Sequence, residues 1–157
     1  MVTISGSGFD TQAGNNHVMV NTTPAAMNGA ASLTSLSILA PAAGSCRIRV
    51  ITPAGVAVST GDLYIVPSGS DISDVAYTVR ANLGDTVTVT LNTSGFGLLV
   101  FDGKDGNSVS ISVGSSSFSA CSLQLYQPNG SLMGSSDTVR VRAPCKRRCF
   151  PLPEPMH

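Results

Sequence analysis

The chain has 157 residues, 11% charged and 5% aromatic, with no Trp, and Ser plus Thr make up about a fifth of it, above ordinary usage. The net charge is zero, and the first 143 residues hold six Lys or Arg against eight Asp. No face can therefore neutralise several phosphates, which excludes nucleic-acid binding driven by counterion release.

Sixteen Gly and nine Pro are spread as punctuation, and the Ala-rich pieces at 25–31 and 39–44 are broken by Gly or Pro before a helix could complete. The predicted class is all-β. No apolar run approaches the ~18–20 residues needed to span a bilayer, so no membrane span is expected.

From the N-terminus, Val2-Thr3-Ile4-Ser5 alternates and runs into Gly6-Ser7-Gly8-Phe9. The alternation resumes at Asn16-His17-Val18-Met19-Val20-Asn21. Further short strands are predicted near 33–39, 46–52, 56–60 and 63–66. In the strand at 46–52, Cys46, Ile48 and Val50 share one face and Arg47, Arg49 and Ile51 the other, the period of two of a half-buried strand. Thr52-Pro53-Ala54-Gly55 is a turn, Pro setting φ and Gly freeing it.

These segments together resemble the IPT/TIG family of immunoglobulin-like domains, whose members carry a Gly-x-Gly-Phe corner, an Asn-x-Val-x-x-Asn-like strand and a Thr-Pro-Gly-Gly turn. Ala54 stands in place of the first turn glycine. The resemblance covers residues 1–66 and implies a β-sandwich whose usual first strand is missing. The chain then reads as a fragment with an uncovered edge, and its first module as the less stable one.

Pro67-Ser68-Gly69-Ser70-Asp71 reads as a linker (67–71). Beyond it, a second β-sandwich is expected over 72–143. Its buried rows are Val87, Val89 and Leu91; Val109, Ile111 and Val113; Cys121, Leu123 and Leu125; and Val139 and Val141. Two stretches, Leu98-Leu99-Val100-Phe101-Asp102-Gly103 with the loop after it, and Tyr126-Gln127-Pro128-Asn129-Gly130, resemble segments of bacterial surface, Rhs-type or pre-peptidase C-terminal-like sandwich modules. Residues 144–157, with three basic residues and four prolines, read as an unstructured tail.

Candidate chemistry is sparse. Cys46 and Cys121 fall in buried rows and read as inert core thiols. Cys145 and Cys149 lack the second ligand pair of a zinc site, and whether they bridge is left open. Asp102, Asp105 and Asn107 are the calcium candidates, but Asp-Gly and Gly-Asn between apolar strands suit a hairpin turn better. His17 and His157 are the two histidines, and no Gly-x-Ser-x-Gly elbow accompanies them. Neither catalytic residues nor a cofactor are assigned, and the reading is non-enzymatic.

Tyr126, on the polar side of its strand before a hairpin, is the binding candidate. The resemblances imply a structural module of a larger bacterial extracellular or cell-surface protein, serving spacing, presentation or adhesion. Its expected partners are neighbouring domains, then protein or carbohydrate. The alternative is a carbohydrate-binding accessory module of a secreted polysaccharide-active enzyme.

Overall fold

The computed structural model describes residues 1–91, 95–104, 106, 108–113, 121–136 and 140–144, with residues 136 and 140–144 described through their backbone only. The described chain is all-β apart from two single-turn 3₁₀ segments. No helix among the described residues is long and apolar enough to cross a membrane.

In the first half, β1 (Val2–Ser5) pairs antiparallel with β4 (Ser35–Ile38). A four-stranded antiparallel sheet in the order β3-β2-β5-β6 is formed by β2 (His17–Val20), β3 (Thr23–Ala25), β5 (Cys46–Thr52) and β6 (Gly55–Leu63). Alternation explains the packing. Leu36 and Ile38 of β4 and Val18, Ile48 and Val50 of the larger sheet turn inward around Phe9, with Val2 and Ile4 against them. A second cluster of Val20, Ala43 and Cys46 continues the core toward the rest of the chain.

The stretch after β3 changes sheets. Met27 bridges Ile38, the Leu39 N–H donates to the Ala26 carbonyl at 2.9 Å, and the Asn28 N–H donates to Ser37 at 2.8 Å. One side of the two-sheet pack is closed in this way. β3 was not foreseen, because Pro24 interrupts its pattern; Pro is tolerated there because β3 is an edge. β6 covers the strand expected at 56–60 and runs on to Leu63, while residues 64–66, expected to form a strand of their own, lie in none. A register irregularity between Arg47 and Arg49 carries the ladder past Gly61.

The recurring turn residues have local reasons. A Cβ on Gly6 would lie 2.8 Å from the Phe9 ring, and Gly8 sits at φ +78. The Thr52 hydroxyl donates to the Gly8 carbonyl at 2.9 Å, tying the Pro53-Ala54 turn to that corner. Asn16, 3% exposed, donates from its amide to the Asp10 and Gln12 carbonyls and accepts from the Asp10 N–H. Asp10 itself is held below the usual carboxylate range, first by the Asn15 amide and then by the Gln12 N–H.

In the second half, β7 (Val75–Ala81) pairs with β8 (Phe96–Phe101), and the pairing is parallel. The connection of about a dozen residues that a parallel pair requires is supplied by 82–95. Within it, residues 86–91 form no ladder, although the alternation of Val87, Val89 and Leu91 predicted a strand. Val89 and Leu91 instead lie against Gly97.

β9 (Ser108–Ser112) pairs antiparallel with β12 (Arg140–Pro144), and β10 (Leu123–Tyr126) with β11 (Leu132–Ser136). Pro144, read from sequence as the start of the tail, is the last residue of β12. The remaining tail residues, 145–157, lie outside the described residues, as does Val139.

Burial is distributed against expectation. Both clusters of buried apolar residues belong to residues 9–50. The described second half contributes Ala81, Val100 and Val109 as buried apolar residues, and no cluster forms there.

Candidate functional site

The two halves meet where the β10–β11 hairpin reaches the first-half core. Its tip is a tight turn. The Gly130 N–H donates to the Gln127 carbonyl at 2.9 Å, Pro128 occupies the position that favours its fixed φ, and Gly130 follows at φ +82. The Pro128 carbonyl accepts two bonds from the first half, from the Gly44 N–H at 2.8 Å and from the Asn21 side-chain amide at 2.9 Å. The same Asn21 amide donates to the Gly44 carbonyl at 2.6 Å, and its backbone N–H donates to Cys46 Sγ at 2.9 Å. Asn21 is 1% exposed at φ +55, a left-handed conformation that Asn tolerates better than most residues. Gly44 fits because a Cβ there would lie 2.7 Å from the Gln127 carbonyl oxygen.

A second polar link joins the halves along β6 and β7. Arg80 forks onto Asp62, Nε to Oδ2 at 2.7 Å and Nη2 to Oδ1 at 2.5 Å, and reaches Asp102 with Nη1 at 2.7 Å. The Asp62 side chain is 6% exposed and that of Asp102 65%. The bidentate inner pair therefore carries most of the energy, and the outer contact is weak. Hydrogen bonding to Asp62, ahead of that to Asp102, pushes the Arg80 guanidinium further toward its charged form. Burial and then the negative charge of Asp62 push the Tyr64 hydroxyl up.

Between these links lies a half-open cleft of about 680 Å³, a size that takes a small ligand. Its lining includes the apolar Phe96, Leu98, Ile111, Leu123 and Leu125 and the polar Asn21, Gln124 and Tyr126. Among the described lining residues Tyr126 is the only one with an ionisable side chain. This lining offers apolar contact and neutral hydrogen bonds, which is binding chemistry.

The sequence candidates fall as follows. Tyr126 is half-buried at the cleft, its hydroxyl donating to Gln124 at 2.6 Å. Asp102 is engaged by Arg80, while Asp105 and Asn107 lie outside the described residues. The hairpin expected at this loop is not formed among the described residues, because the strands flanking it find other partners, β8 with β7 and β9 with β12. Among the described residues, no three His, Cys, Asp or Glu side chains gather as a metal site. His17 is exposed on β2; His157, Cys145 and Cys149 lie outside the described residues. Cys46 is 1% exposed, Cys121 only half-buried, and the two are not bridged to each other.

Sequence reading missed Asn21, Gly44, Pro128 and Arg80 as a junction. The one available signal was Arg80, the lone basic residue between Arg49 and Lys104.

No family model, curated protein or solved structure matches the chain.

Proposed function

We propose that the chain is a non-catalytic structural module of a larger bacterial extracellular or cell-surface protein, in which an immunoglobulin-like unit and a second β-unit are held together for spacing, presentation or adhesion. The observation that carries this reading is the fully buried Asn21, whose amide spans from the Gly44 carbonyl to Pro128. A spacer must transmit a fixed orientation, and buried hydrogen bonds specify orientation better than apolar contact does. The motifs shared with IPT/TIG domains support the extracellular setting.

Carbohydrate binding is the second reading. It is favoured by Tyr126 and Gln124 together in the lining of a half-open cleft.

Amide residual dipolar couplings on the whole chain, followed by titration with soluble polysaccharides, test both readings. The structural reading expects one alignment tensor for the two halves and no shifts at residues 122–130 with sugar. Two independent tensors would overturn it. Saturable sugar-induced shifts around Tyr126 would replace it with the second reading.

A further inference from the structure

We propose that β6 is a self-pairing edge, through which two copies of this chain join their four-stranded sheets into one antiparallel sheet of eight strands. Among the described residues β6 pairs only with β5; Arg80 of β7 reaches Asp62 near its end, and the stretch at 55–58 is left without a strand on its other side. The opposite edge of the same sheet is β3, where Pro24 removes a donor and guards against pairing. β6 has no such guard. No charged residue lies between Arg49 and Asp62, and residues 55–58 are exposed, Val56 by 57% and Val58 by 40%.

The occupant is identified by symmetry. In a two-fold interface residue i of one copy meets residue j of the other and j meets i, so an edge carrying charge of one sign would oppose itself. This edge is neutral, and its sequence Val56-Ala57-Val58 reads the same in both directions.

The hydrogen-bond phase agrees. Thr52 and Gly55 flank a two-residue turn and pair with each other; Val50 and Ala57 also pair. In an antiparallel ladder hydrogen-bonded and non-hydrogen-bonded pairs alternate. With Thr52 and Gly55 bonded across the turn, Gly55 and Ala57 direct their backbone groups toward β5. Val56 and Val58 then direct theirs toward the open side. A two-fold axis at Ala57 sets Val56 of one copy against Val58 of the other, so both pairs can exchange N–H···O bonds. Their side chains fall on the outer face of the sheet as Val–Val neighbours.

Packing points the same way. Ala57 sits opposite the buried Val50, on the core side of the sheet, yet it remains exposed. The edge overhangs its own core, and an adjoining strand would cover it.

Sedimentation equilibrium of the whole chain in reductant, which removes any disulfide dimer, provides the test. Two double variants, Val56→Lys with Val58→Lys and Val56→Glu with Val58→Glu, place like charges across the two-fold. Both sites are exposed, and unchanged melting curves would establish that the variants fold.

The wild type should form a concentration-dependent dimer. Each charged variant should raise the dissociation constant by about tenfold or more, and an equal mixture of the two should recover dimer. A wild type that stays monomeric overturns the proposal. So does a dimer that persists undiminished in the charged variants, which would place the interface elsewhere, the β1 edge included. Failure of the mixture to recover dimer overturns it as well.

Discussion

Asn21 combines a left-handed backbone with two side-chain hydrogen bonds and near-complete burial. Each term can be separated by substitution. Asn21→Ala removes both bonds and forces an alanine into the left-handed region, whereas Asn21→Gly removes the bonds and keeps the backbone comfortable. With about 1 kcal/mol per hydrogen bond and about 1 kcal/mol for the conformation, Ala should cost about 2–4 kcal/mol and Gly about 1 kcal/mol less. Denaturant midpoints of the two variants check this. Equal losses for both would show that the backbone conformation contributes nothing. Asn16 is similarly buried, but its side chain bonds to Asp10 and Gln12 a few residues away, so it organises one loop rather than joining distant parts.

At the scale of elements, the β10–β11 hairpin shows how local and distant requirements divide. Its turn was legible, because Pro128 and Gly130 satisfy turn geometry that depends on neighbours alone. Its docking was not, because the partner Gly44 looks in sequence like an ordinary loop glycine. Gly44→Ala would drive a methyl group to 2.7 Å from the Gln127 carbonyl oxygen. This contact is with backbone, which cannot swing aside as a side chain tip can. The hairpin should therefore undock while the first-half core, remote from Gly44 apart from Ala43 and Cys46, stays folded. Hydrogen exchange should become faster at residues 123–135 and stay unchanged at 46–52; unchanged exchange in both would show that the hairpin does not depend on this contact.

At the scale of the whole molecule, the two halves differ in how they are held. The first half surrounds two buried apolar clusters. Among the described residues the second forms three two-stranded ribbons around a half-open cleft, and isolated two-stranded ribbons are marginal in water. The first half should thus be the more stable, the reverse of what the family resemblance suggested. Native-state hydrogen exchange should find the slowest amides in β2 and β5, with β7, β8 and β10 opening at lower free energy. Equal or greater protection in β7 and β8 would sink this ordering.

The sequence alone determined the all-β class, most first-half strands, the Gly6-Ser7-Gly8-Phe9 corner and the hairpin turns at 52–55 and 127–130, though not the hairpin it suggested at 102–107. Period-two alternation and turn chemistry act over a few residues, so they can be read without knowing what lies opposite. Alternation at Val87, Val89 and Leu91 shows the limit of that reading, since a repeating pattern announces which side is apolar but not whether a neighbouring strand is in reach. Only the tertiary structure decided that β7 and β8 run parallel. It alone brought Arg80 between Asp62 and Asp102, and it alone set Asn21 against Pro128, 107 residues away in the chain. Those contacts depend on which loops the whole fold makes adjacent, and such adjacency leaves no periodic mark in the segments that take part in it.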